Sequence, residues 1–184
     1  MKQRRAFLRK ITLTLFSPLL LLASKLSFGG SPKTNGVIRH QNESETFLIR
    51  PNAPVTIRMS KTRDSVESIS FGSEEIGPAD GIPVHKHLNE DEIIFIQSGQ
   101  GTFTLDDKKV SVESGSTVFV PKGVWHGIEN TGTEVIIMIF GFNPSGFEGY
   151  FREIGTLKGQ EFKQKTKDEY LAAATKYGIE YKRN

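Results

Sequence analysis

Two stretches decide how this chain folds. The first is Gly81-Ile82-Pro83-Val84-His85-Lys86-His87-Leu88-Asn89-Glu90-Asp91-Glu92, running on to Gly99. The second is Gly115-x5-Pro121-x-Gly123-x2-His126-x3-Asn130. The chain has 4 histidines, and all but His40 fall inside these stretches. Side chains two apart on a strand point to the same face, so His85 and His87 are expected to face one interior, with Lys86 between them pointing to solvent. Glu92 would face outward on an unbroken strand. The turn-like Leu88-Asn89-Glu90-Asp91 instead lets Glu92 begin a new strand facing inward, with Ile94 and Ile96 on the same face. His126 follows the turn Pro121-Lys122-Gly123 and is expected to open another strand, with Ile128 on its face. Three imidazoles and one carboxylate make a nitrogen and oxygen donor set that suits Mn, Fe, Co, Ni, Cu or Zn better than Ca or Mg. Four such ligands on an octahedral ion would leave two positions open for substrate and dioxygen or water.

Outward from these stretches the chain reads as short β-type runs: 46–49, 55–59, 66–71, 92–96, 101–105, 110–112, 117–120 and 135–140. Turn signals such as Ser98-Gly99-Gln100-Gly101, Asp106-Asp107 and Asn130-Thr131-Gly132 separate them. Short strands at this spacing predict an all-β antiparallel sandwich or barrel. The last forty residues change character. Residues 146–155 and 167–178 read as helices, with Lys167 or Asp168 near the start of the second and Gly178 as its stop. No internal repeat is evident, and 184 residues suit one domain rather than two.

Composition narrows the function. The formal charge of +3 comes from the first 25 residues, which hold six basic residues and no acid. Taking these six from 24 leaves 18 basic residues against 21 acidic ones. The folded part is therefore mildly acidic, and no nucleic-acid partner is expected. With Cys 0, disulfides, thiolate metal sites and a cysteine nucleophile are excluded. Met1 to Lys10 is a basic segment and Ile11 to Ala23 a mostly apolar one, followed by small residues, which is the layout of a signal peptide. Within it, Gln3-Arg4-Arg5-Ala6-Phe7-Leu8-Arg9 resembles the twin-arginine export signal, with Gln3 and Arg9 as departures. The apolar run is short for a permanent span, so no stable membrane anchor is expected, and the location is periplasmic or secreted. Residues 1–30 are read as signal peptide, 31–44 as linker and N-terminal arm, 45–145 as the barrel and 146–184 as a C-terminal helical segment.

The two quoted stretches resemble the conserved motifs of the cupin superfamily, G-x5-H-x-H-x3–4-E-x6-G and G-x5-P-x-G-x2-H-x3-N. The second is matched at every fixed position, rarer than roughly one in a million per starting position at ordinary residue frequencies. The first matches from His85 to Gly99, while Gly81 stands too close to His85 to be its leading glycine. The resemblance implies a double-stranded β-helix, or jelly-roll, barrel. It also implies one divalent transition-metal ion (Fe, Mn, Ni, Cu, Co or Zn) held by His85, His87, Glu92 and His126. Residues 143–155 and 174–180 are similar to the tail of small one-barrel cupins related to quercetin dioxygenases. That likeness implies a metal-dependent dioxygenase acting on a polyphenol-like substrate, with Glu92 taking the substrate proton. Two other readings stay open: a non-catalytic binding module for a small ligand, and non-oxidative decarboxylation or isomerisation. Phe147, Tyr150 and Phe151 are read as a helix face packed on the barrel, with capping of the barrel mouth as the alternative. Phe119, Met138 and Phe140 are expected to line the barrel. Ile93 and Phe95 would point outward beside the inward Ile94 and Ile96, so a homodimer covering that outer face is expected.

Overall fold

The computed structural model describes residues 36–182; the signal-peptide reading of residues 1–30 lies outside them. A single 3-10 turn, Gln41–Glu43, leads into β1 (Glu45–Arg50) and β2 (Ala53–Met59), followed by a one-turn helix, α1 (Lys61–Asp64). Eight strands come next: β3 (Ser70–Ile76), β4 (Gly81–His87), β5 (Asp91–Ser98), β6 (Gln100–Leu105), β7 (Lys108–Glu113), β8 (Thr117–Val120), β9 (His126–Glu129) and β10 (Ile136–Asn143). The C-terminal part holds α2 (Glu148–Ile154), β11 (Thr156–Leu157), α3 (Lys167–Lys176) and β12 (Ile179–Tyr181). The fold is all-β with a few C-terminal helices, the double-stranded β-helix architecture. One sheet runs β11-β1-β2-β3-β10-β5-β8 and the other β12-β4-β9-β6-β7. Every pairing within the two sheets is antiparallel.

The period-2 pattern explains the core. Val55 and Ile57 on β2, Ile94 and Ile96 on β5, and Met138, Phe140 and Phe142 on β10 all turn inward and are buried. Phe140 lies opposite Gly72 on β3. A Cβ at Gly72 would meet the Phe140 ring at 2.5 Å, so only glycine lets this ring cross the neighbouring strand. Asn130, the last residue of the second motif, is a buried clamp. Its Nδ2 donates to the carbonyls of Ile76 and Glu134, each at 2.8 Å, and its Oδ1 accepts from the Gly132 amide at 3.0 Å. It thereby ties the end of β9 to the end of β3.

Several expectations need correction. The run at 66–71 pairs as a strand only from Ser70. Upstream of it, the carbonyls of Val66, Glu67 and Ser68 accept hydrogen bonds from the 143–145 loop, which removes them from ladder pairing. Lys86 does not stand free in solvent: its ammonium lies 2.8 Å from Glu180 and 4.6 Å from the centre of the Trp125 ring. Phe119 does not line the barrel and is 58% exposed. It sits opposite Ile93 on the outer face, because β8 pairs with β5 in that register. The C-terminal segment is not wholly helical. Its end, β12, adds to the sheet beside β4, placing Ile179 opposite His87 and Tyr181 opposite His85. Helix α3 starts at Lys167, as read, and is capped by Thr166 in a reciprocal arrangement with Glu169.

Candidate metal centre and its cavity

His85, His87 and His126 come together inside the barrel, and one nitrogen from each lies within 4.8 Å of the others. The two quoted stretches meet because β4 and β9 are neighbours and place His85 directly opposite His126. The turn that delivers His126 depends on Gly123, whose φ of +82° lies in the left-handed region and whose amide donates to the His87 carbonyl at 2.7 Å. Glu92 begins β5 on the inner face, as the turn-like Leu88–Asp91 segment requires. Its Oε2 lies 3.0 Å from His126 Nε2 and 3.5 Å from His87 Nε2. All four side chains are buried, His87 and His126 to 2% exposure.

The hydrogen bonds fix which ring nitrogens are free. His85 Nδ1 lies 2.8 Å from the Pro83 carbonyl and His126 Nδ1 lies 3.0 Å from the Val124 carbonyl. A carbonyl oxygen only accepts, so each Nδ1 must carry the proton, and Nε2 of the neutral ring presents a lone pair to the interior. His126 Nε2 and both nitrogens of His87 have no hydrogen-bond partner although they are buried. The Nε2 atoms of His126 and His87 face the Glu92 carboxylate. Burial pushes the His85 imidazole down, with His126 and His87 adding to the effect, to about 3, so it stays neutral. Burial alone would raise the Glu92 carboxyl, but the imidazoles of His126 and His87 outweigh it and hold it at about 2. Buried imidazole nitrogens without hydrogen-bond partners gathered around a carboxylate are a poor arrangement by themselves and a good one around a cation. The three-histidine cluster fits a metal ion.

The cluster lines a cavity of about 690 Å³. Phe142 and Phe147 pack edge-on against the His87 ring, with centroids 5.0 and 4.3 Å away. Phe147, Tyr150 and Phe151 therefore satisfy both readings of that helix: they are buried against the barrel and they wall the cavity. Sequence reasoning missed Glu74, Arg50 and Tyr181, which also line it. Glu74 sits on the inner face of β3, 3% exposed, and burial raises its carboxyl to about 7. The signal for Glu74 was an acid at an inward position of a strand. It could be read only once the register of β3 was known.

Residues 72–142 match the family model described as the cupin domain. An uncharacterized protein of Methanocaldococcus jannaschii is 43% identical over 49 residues, 27% of this chain and 39% of that protein. An oxalate-binding protein of Thermotoga maritima is 37% identical over 62 residues, 34% of this chain and 51% of that protein. The chain thus spans about half or less of the length of these curated relatives. Among solved structures, an RmlC-like cupin from Shewanella frigidimarina aligns with a TM-score of 0.52 at 16% identity, covering 60% of this chain and 93% of that one. That likeness is one of fold. The family match and the shared architecture support the cupin superfamily.

Proposed function

We propose that this cupin barrel holds one divalent transition-metal ion on His85, His87, Glu92 and His126 and acts as a metal-dependent dioxygenase on a bulky, polyphenol-like substrate. The observation that carries the reading is a buried nitrogen and carboxylate cluster, with nitrogens lacking hydrogen-bond partners, in the wall of a roomy apolar cavity. When bound, the ion would supply a redox-capable Lewis-acid centre with open positions for a substrate oxygen and dioxygen. The chain's own residues do the rest. Glu92 lines the cavity and is the carboxylate to which a substrate hydroxyl would pass its proton. Phe142 and Phe147 pack on His87, fix its ring and keep water from it. Met138, Phe140 and Phe151 offer apolar surface to an aromatic skeleton.

A second reading, binding or non-oxidative turnover of a small dicarboxylate, is favoured by the oxalate-binding relative. The cavity argues for the first. It lies in the range that takes drug-sized molecules, roughly 300–1,000 Å³, far more than a two-carbon dicarboxylate fills. The cationic Arg50 in its wall is also engaged by Asp80 at 3.0 Å. The test is turnover of a panel of polyphenols and dicarboxylates by metal-reconstituted protein, with and without air. Oxygen uptake that disappears in Glu92→Gln supports the dioxygenase. Stabilisation by a ligand without turnover points to a binding module, and product without oxygen uptake to decarboxylation or isomerisation.

Two further readings belong to the same proposal. The paired Arg4-Arg5 followed by Phe7-Leu8 supports export through the twin-arginine route to the periplasm or beyond. The exposed row Phe71, Ile93 and Phe119, joined across β3, β10, β5 and β8 through Gly141, supports a homodimer that covers this sheet face.

A further inference from the structure

Besides the histidines and Glu92, the cavity holds a polar group that the chemistry above does not use. Glu74 lies opposite Met138 on one neighbouring strand and Val55 on the other, so its flanking positions on the inner sheet face are apolar. Its Oε1 is buried and has no hydrogen-bond partner. The closest cation, Arg50, stands 3.9 Å away and donates instead to Asp80 through both Nε and Nη2. In the wall of the same cavity, the hydroxyls of Tyr150 and Tyr181 bond each other at 2.9 Å, and the Tyr181 ring lies 5.9 Å from that of His85. Glu74 and this pair line the same cavity. A buried polar atom without a partner is costly, and a hydrophobic side chain would fill that position at lower cost. The unused acceptor is explained if a bound molecule supplies the donor.

The charges limit what that molecule is. Glu92 and Glu74 are both acids lining this cavity, so a ligand that reaches both gains nothing from a negative group of its own beside Glu74. The cavity is long enough in volume for two or three rings. We infer that Glu74 is a specificity determinant: its unpartnered carboxyl oxygen accepts a hydrogen bond from a hydroxyl on an uncharged, multi-ring aromatic ligand whose other end reaches the histidine cluster. This deepens the dioxygenase reading and rests on it for the identity of the near end, but Glu74 itself ligates no ion.

The test uses matched bicyclic probes on the full chain: 2-naphthol, naphthalene and 2-naphthoate, followed by fluorescence, with metal-loaded and metal-free protein. The wild type is expected to bind 2-naphthol about tenfold or more tighter than naphthalene, the scale of one hydrogen bond to a charged acceptor. In Glu74→Leu that ratio falls to near one while the metal content stays at the wild-type level. Glu74→Gln, which keeps an acceptor oxygen, retains part of the preference and serves if the leucine variant does not fold. A wild-type ratio near one, or a ratio unchanged in Glu74→Leu, overturns the inference. So does 2-naphthoate binding most tightly, which would make Arg50 the anchor. Failure of the metal reading shows separately, as absent metal uptake by a wild type that still prefers 2-naphthol.

Discussion

His85 and His126 stand directly opposite each other on adjacent antiparallel strands, their ring centroids 4.3 Å apart. Each directs Nδ1 to the carbonyl two residues earlier along the chain, Pro83 and Val124. The local backbone therefore sets the tautomer of both rings, and their Nε2 atoms face the interior before any ligand arrives. Such preorganisation lowers the cost of assembling a metal site.

If the cluster binds an ion only in the folded state, binding must stabilise the fold. At an ion concentration a hundredfold above Kd the gain is about 2.7 kcal/mol, a rise in Tm of several degrees. Thermal unfolding with and without added Mn²⁺, Fe²⁺ or Ni²⁺ should show the rise in the wild type and none in His126→Ala.

Asn130 should matter for stability and not for metal. Replacing it with Ala leaves the Ile76 and Glu134 carbonyls and the Gly132 amide without partners. A loss of about 2–3 kcal/mol is expected in denaturant unfolding, with metal content unchanged.

Glu74 gives the metal-free protein a pH dependence. Burial raises its carboxyl from an ordinary 4.5 to about 7 in the folded state, so the folded protein holds this proton more tightly than the unfolded chain. The linked stability is fully present below about pH 4.5 and is lost as pH rises through 7. Denaturant melts of Glu74→Gln should show a shallower decline, the remainder belonging to Glu90, whose carboxyl burial also raises to about 7. The variant should be the more stable protein at pH 8, by on the order of 2 kcal/mol.

The outer sheet face should hold a dimer together. Ile93 is 48% and Phe119 58% exposed, opposite each other on β5 and β8. Sedimentation should give a dimer for the wild type and a monomer for Ile93→Glu with Phe119→Glu. A wild type that is strictly monomeric removes this interface.

The barrel and its four site residues were legible because they follow local rules. Alternation placed His85 with His87, the turn-like 88–91 segment turned Glu92 inward, and the Pro121–Gly123 turn started β9 at His126. What stayed hidden depends on register between distant segments. Tyr181 meets His85 only because the chain end returns as β12, and three residues give too short a pattern to read as a strand. Phe119 looked like lining by its type, and only its pairing with Ile93 puts it outside. Glu74 lay outside the run read at 66–71, and only the Met138 pairing sets it on the inner face.

The most direct test is the metal content of purified, reconstituted protein, measured by elemental analysis beside the double variant His87→Ala, His126→Ala. The account predicts close to one transition-metal ion per chain in the wild type and essentially none in the variant. A wild type that stays metal-free, or a double variant that binds the ion as tightly, would contradict it.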